Sequence, residues 1–192
     1  TVSEAAKMVL VALGYNAAME GYTGGAWQIN VDARANPLGL YDDLSYTTTN
    51  APLTRDNAAQ MLYNALDCDM VKYDVVLDTT SSTVISTTQL GETGETLLED
   101  KFEAVKVEGV VIANEVANLE STSTNGSSLA ANRTKIRIDE EADQDYYTGD
   151  ETFSVASSLD ELGRYVAIYV KKDRNSANAQ VLGSVIVSED NK

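Results

Sequence analysis

One stretch of this chain occurs twice. Thr1-Val-Ser-Glu-Ala-Ala-Lys-Met-Val-Leu-Val-Ala-Leu13 aligns with Thr54-Arg-Asp-Asn-Ala-Ala-Gln-Met-Leu-Tyr-Asn-Ala-Leu66, an offset of 53 residues. Six of the thirteen positions are identical: the leading Thr, two central Ala, a Met and the closing Ala-Leu. Repeated units of this size stack their apolar faces on neighbours and are weak alone, so the repeat sets the architecture around it. Each copy reads as a helix. Thr1 and Thr54 are suitable N-caps, because a hydroxyl accepts from the free N–H groups of the first turn. Thr1 with Glu4 forms a capping-box pattern, and Thr54 with Asn57 approximates one. Ala5, Met8, Val9, Ala12 and Leu13 fall on one predicted apolar face. Ala58, Met61, Leu62, Ala65 and Leu66 repeat that face. Gly14-Tyr15 ends the first helix. Between the copies, Ala26 to about Ala35 predicts another helix, which stops before Pro37 and Gly39. Residues 40–52 read as an irregular loop.

From Tyr73 onward the helical period fades and short β-prone runs take over. Val75–Leu77 and Val84-Ile85 predict strands joined by a Thr/Ser-rich segment. Ala104–Ala113 is the strongest strand, and Gly109 inside it predicts a bulge or bend. Thr134–Ile138, Thr152–Val155, Tyr165–Lys171 and Val181–Val187 follow, with Asp173–Asn178 as a hairpin loop. Helical turns are expected at Thr96–Phe102 and Ser158–Leu162, and a mobile loop at Glu120–Asn132. The fold class is therefore α+β in two segregated parts. A helical segment spans residues 1–72. A β-rich domain spans 73–192, a small antiparallel barrel or half-barrel of OB or SH3 type.

The composition narrows the chemistry. Residues 1–73 hold four basic and eight acidic groups, a net −4, and residues 74–192 hold ten and twenty-two, a net −12. A surface so acidic repels phosphate backbones and anionic bilayers, which argues against nucleic-acid and membrane partners. No run has the roughly 18 apolar residues of a spanning helix. The chain opens on a helix start with no signal-peptide pattern, as expected of a piece of a longer protein. It lacks histidine, so a Cys/His pair, a Ser-His-Asp triad and a His-ligated zinc are all excluded. Cys68, the single cysteine, allows no intrachain disulfide and reads as a partly buried inert thiol. The acidic run Asp139–Asp145 lacks EF-hand spacing and reads as a solvated loop. Gly91-Glu-Thr-Gly94 lacks the lysine of a phosphate loop and reads as a turn. No cofactor, metal site or catalytic residue is expected, and the chain is not expected to be an enzyme.

Thr54-Arg55-Asp56-Asn57-Ala58-Ala59 resembles the signature of S-layer-homology (SLH) domains, which open their second helix with Thr-Arg-Ala-Glu. Trp27, the Gly39-Leu40 pair and Tyr63-Asn64-Ala65-Leu66 also resemble that family. The likeness covers residues 1 to about 72, as the second helix of one repeat followed by a whole one. It implies a non-catalytic module that holds an exported Gram-positive protein to the cell wall or S-layer. The implied partner is a pyruvylated secondary wall polysaccharide. Arg55 matches the arginine that reaches the acidic group, a role suited to the directional pairing of guanidinium with carboxylate. Asp42, Asp43 and Thr54 are other implied contact residues, and Trp27 is read first as core packing and otherwise as an aromatic lining the groove. Val2 stands at the arginine position of the first copy, which should bind nothing, and Asp56-Asn57 replaces Ala-Glu. The β-rich domain would be a spacer or display module. Two other readings stay open: a degenerate SLH scaffold whose β-domain contacts proteins, and an accessory piece of an exported glycan hydrolase.

Overall fold

The computed structural model describes residues 1–78, 85–120, 127–139, 146–173 and 175–188. It is a mixed α+β structure with two antiparallel sheets. The chain divides into two compact units, Thr1–Lys101 and Phe102–Lys192.

In the first unit, α1 (Val2–Ala12) begins with the expected capping box: Glu4 N donates to Thr1 Oγ1 at 3.3 Å, and the Thr1 backbone amine donates to Glu4 at 2.7 Å. α2 covers Trp27–Ala35, and α3 covers Arg55–Leu66. Thr54 caps α3 by accepting from Asn57 N at 3.1 Å. Leu10, Leu13, Val31, Leu40 and Met61 meet in one core.

The two copies do not bury the same face. α1 buries Val2, Ser3, Ala6, Val9 and Leu10, whereas α3 buries Asn57, Met61 and Ala65. The α1 counterparts of that second stripe, Glu4, Met8 and Ala12, are all exposed. Met8 is 74% exposed and its equivalent Met61 only 1%. The shared face predicted from spacing therefore fails at Met8 and Ala12 in one copy and at Leu62 in the other. The cause is tertiary: α1 packs on α2, while α3 turns its stripe towards the chain between Leu38 and Ser45.

β1 (Asp69–Asp78) and β2 (Ile85–Thr96) form an antiparallel ribbon; β1 extends the expected Val75–Leu77 strand at both ends, and β2 runs on from Ile85 well past the expected strand. Val84 and the Thr/Ser connection at 79–84 lie outside the described residues. β1 joins the helices through Val71 N, which donates to Leu13 O at 2.9 Å. Gly14 makes that approach feasible. Its φ is +106°, and a Cβ there would lie 2.2 Å from Val71 O. Gly91–Gly94, expected as a turn, lies inside β2: Gly91 pairs with Lys72, while Gly94, at φ +80°, sits in the register shift between the Val71–Glu92 and Asp69–Thr96 pairs, so the expected bend is kept as a bulge and not as a turn. α4 (Leu97–Phe102) follows, close to the predicted helical turn.

The second unit is a five-stranded sheet in the order β5-β4-β3-β6-β7. Its strands are β3 (Ala104–Ala113), β4 (Thr134–Ile138), β5 (Asp150–Phe153), β6 (Tyr165–Lys171) and β7 (Val181–Ser188). A short 3-10 helix, Leu159–Glu161, precedes β6. Val107, Val111, Ile136, Phe153 and Ile168 form its core. Neither sheet closes: β5 and β7 are opposite edges of an open sheet, so the closed-barrel form of the expectation is not found. Gly109 is a further correction. It pairs in register with both Ile138 and Val166, and the register shift falls later, between Val111 and Ala113. A Cβ on Gly109 would lie 2.1 Å from Arg137 O, so this glycine admits the β4 backbone. Residues 121–126 of the expected mobile loop lie outside the described residues. So do residues 140–145 of the acidic run and residue 174 of the hairpin loop.

The different burial of the two methionines is measurable. Met61→Ala should destabilise the chain by about 2–5 kcal/mol, the cost of emptying a packed site, and Met8→Ala by less than about 0.5 kcal/mol. Denaturant unfolding of both variants checks this, and equal losses would contradict the burial assigned to the two copies.

Candidate functional site

The helical unit is organised around one carboxylate. Asp32, on α2, accepts three hydroxyl hydrogen bonds: from Ser3 at 2.8 Å, Tyr41 at 2.6 Å and Thr49 at 2.7 Å. Gln28, one turn earlier on α2, donates to the hydroxyls of Ser3 and Thr49, both at 3.2 Å. Backbone bonds complete the junction, with Val2 N donating to Ala51 O and Ser3 N to Thr49 O. The start of α1, the middle of α2 and the loop that leads into α3 thus share one acceptor. Burial and the Asp32 charge both push the Tyr41 hydroxyl well above its usual titration range.

The chain on either side of Asp42 and Asp43 is tied to α3. Asn57 accepts from Ser45 N at 3.0 Å and donates to Ser45 O at 2.8 Å. Asn64, two turns on, donates to Asp42 O at 2.8 Å. Asp42 and Asp43 are exposed, and Asp43 holds φ at 59°, a left-handed conformation that Asp tolerates better than most residues. The same helix starts at Arg55. Its guanidinium is exposed, and no carboxylate among the described residues, the neighbouring Asp56 included, pairs with it. Thr54 is occupied as the α3 cap. Val2, at the equivalent point of α1, is fully buried. Trp27 is half-buried against the core, with the Lys7 ammonium 5.5 Å from its ring centroid. Arg55, Asp42 and Asp43 therefore belong to one helix-and-loop assembly, while Trp27 opens α2.

A second polar cluster was invisible to the sequence pattern. An open cavity of about 440 Å³ is lined by Met19, Glu20, Gly21, Tyr22, Asn30, Ala33 and Arg34. None of the sequence-predicted site residues lines it. Arg34 pairs with Glu20 at 3.3 Å and stacks over the Tyr15 ring at 5.3 Å from the centroid. Tyr73 in β1 donates to Glu20 at 2.9 Å and accepts from Asn16 N at 2.9 Å. Glu20 and Tyr73 are 53 positions apart, so no local signal joins them. The Tyr22 hydroxyl is buried. The Arg34 guanidinium stands beside it, yet it meets no hydrogen-bond partner of good geometry among the described residues. Burial, with the Glu20 charge behind it, pushes this hydroxyl up to about 12.

Cys68 is a buried free thiol. Burial, then Asp67 and Asp69, push it up to about 11. Among the described residues, no group of three or more His, Cys, Asp or Glu side chains is placed to hold a metal ion. No helix among them is long and apolar enough to cross a membrane. In comparisons with protein-family models, curated proteins and solved structures, none matches this chain.

Two outcomes follow. Asp32→Ala leaves three hydroxyls without their acceptor and should cost roughly 3 kcal/mol, read by chemical denaturation; a loss below about 0.5 kcal/mol would show that the junction is incidental. Cys68 should resist a thiol reagent at pH 8 in the folded chain and react quickly in denaturant. Because its folded value is raised, its contribution to stability is complete below the unfolded value of about 8.5 and is lost as pH climbs towards about 11.

Proposed function

We propose that the helical unit attaches an exported bacterial protein to an acidic wall polysaccharide and that the chain is not an enzyme. The observation that supports this reading most is the state of Arg55. It is an exposed guanidinium at the first position of a capped helix, without a carboxylate partner among the described residues, in a chain of net charge −16. In so acidic a protein, an arginine left unneutralised keeps all its donors for an external anion. A ketal carboxylate fits that fork in a paired geometry. The Asp42–Ser45 loop, tied to the same helix by Asn57 and Asn64, supplies acceptors for sugar hydroxyls. Buried Val2 leaves the first copy without an equivalent group. The SLH likeness rests on the residues quoted for it. The proposed setting is extracellular, in the wall or S-layer, with the open half-barrel as spacer or display module.

One observation favours a second reading, in which the β-unit contacts proteins. β7 has no strand beyond it among the described residues, and Leu182, Val185, Ile186 and Val187 on it are exposed. The opposite edge, β5, carries Asp150 and Glu151, the kind of charge that blunts strand addition.

Purified wall sacculi should retain the chain at moderate salt. Arg55→Ala should weaken retention about tenfold or more without lowering thermal stability, since an exposed charge-assisted contact is all that is removed. Removing the pyruvyl groups from the wall should weaken it equally. Absence of retention, or full retention of the variant, would remove the anchor reading and leave the β7 edge as the interaction surface.

A further inference from the structure

The last described strand of the β-unit differs from the others in charge. Each of β1 to β6 carries at least one charged side chain, Lys171 in β6 and both Asp150 and Glu151 in β5 among them. β7, Val181–Ser188, carries none. It is also an edge: β6 pairs along one side of it, and no described strand lies along the other. Such an edge leaves backbone N–H and C=O groups open to another strand, without the charges that natural edges use to prevent pairing.

Both faces of β7 are apolar. Val185 lies opposite Ala167 on one face, and Ile186 lies opposite Val166 of the core on the other. Both are exposed, as are Leu182 and Val187. Neighbouring residues of a strand point to opposite faces, so a strand added beside β7 meets apolar side chains on both of its own faces. An amphipathic strand suits one face and sets polar groups against the other. A charged strand is desolvated against Val and Ile with no counter-charge in β7. β7 itself meets the requirement, being uncharged and apolar on both faces. Two copies related by a two-fold axis set the strand antiparallel to itself, a self-complementary contact that closes as a dimer. The other edge does not compete. β5 is four residues long and would set Asp150 and Glu151 against β7, which disfavours open growth from β7 of one copy to β5 of the next.

We infer that β7 pairs antiparallel with β7 of a second copy of this chain, joining the two five-stranded sheets into one across a two-fold axis. The inference rests on the reading in which the β-unit contacts proteins, names the partner, and does not depend on Arg55. One strand pair is a small interface, below about 1,200 Å², which sets the dimer at a Kd of micromolar order or weaker. Two chains of net charge −16 repel, so the association strengthens as salt screens them.

Sedimentation equilibrium of the full chain, from about 1 μM to about 1 mM, should show a monomer–dimer equilibrium. Its Kd should fall at least about threefold between about 0.05 M and about 0.5 M NaCl. Leu182→Lys and Val185→Lys each place a charge at an exposed edge position. Each should raise Kd about tenfold or more while the melting temperature stays near that of the parent, and two positions are used so that one still reports if the other misfolds. Val75→Lys, at an exposed position of β1, should leave Kd unchanged. A chain that stays monomeric throughout, growth into species larger than a dimer, or a dimer that survives both edge lysines overturns the assignment. Hydrogen exchange separates this from failure of the parent reading. In a chain that stays monomeric, fast exchange at the β7 amides not bonded to β6 leaves the edge open to a different protein, whereas slow exchange there shows the edge already covered and removes both readings.

Discussion

Three hydroxyls converging on the Asp32 carboxylate set the arrangement of the helical unit. A carboxylate drawn partly out of water must be satisfied or it destabilises the fold, and the partners of half-buried Asp32 come from three separate segments: Ser3, Tyr41 and Thr49. Each partner fixes something else. Ser3 sets how α1 enters the core. Tyr41 begins the turn that exposes Asp42 and Asp43, and Thr49 brings the chain back towards Thr54. Arg55 stands where it does because the loop before it is anchored on α2 and the helix after it is capped by Thr54. The polar network thus reaches solvent as a particular placement of one cation and two carboxylates.

Local chemistry made much of this legible in the sequence. Thr1 and Thr54 predicted the starts of α1 and α3, and Thr1-Glu4 predicted its capping box, because a cap involves residues only three apart. Strands β3, β4 and β6 were legible to the residue, since β-branched runs bounded by polar segments bury a sheet face wherever they pair. What spacing could not supply was the direction each repeated helix faces. Met8 and Met61 occupy the same position of the same motif, yet one meets solvent and the other the core. Helical period identifies a stripe; the neighbour that covers it is a long-range fact.

Glycine shows the same division. Gly109 was marked as an interruption of β3, and the mark was right about its importance but wrong about its cause. The β4 backbone at Arg137 leaves no room for a Cβ, although the ladder continues through Gly109 unbroken. Gly91 and Gly94 were read as a turn; β1 pairing takes in Gly91, whereas Gly94 keeps a positive φ inside an irregularity of the ladder. The candidate sites follow this pattern. Arg55 was legible because it sits in a contiguous motif. The Tyr22, Arg34 and Glu20 cluster was not, because Glu20 is held by Tyr73 on a different element.

The two arginines of the helical unit differ in electrostatic state, and that difference separates their chemistry. Arg34 is spoken for: Glu20 neutralises it and Tyr15 stacks against it, so its field beyond a few ångströms is that of a dipole. Arg55 keeps a full positive charge at the surface of a chain whose net charge is −16. Long-range repulsion from that net charge would slow the approach of any polyanion, and salt screens it within a Debye length of about 8 Å at physiological ionic strength. Only a ligand that brings its negative group into direct contact with the guanidinium recovers that loss. Sparse acidic substituents on an otherwise neutral polymer meet this requirement, and a densely charged polyphosphate does not. On the proposed wall-anchor reading, the acidity that argues against nucleic acid as a partner is the same property that would make one unneutralised arginine selective.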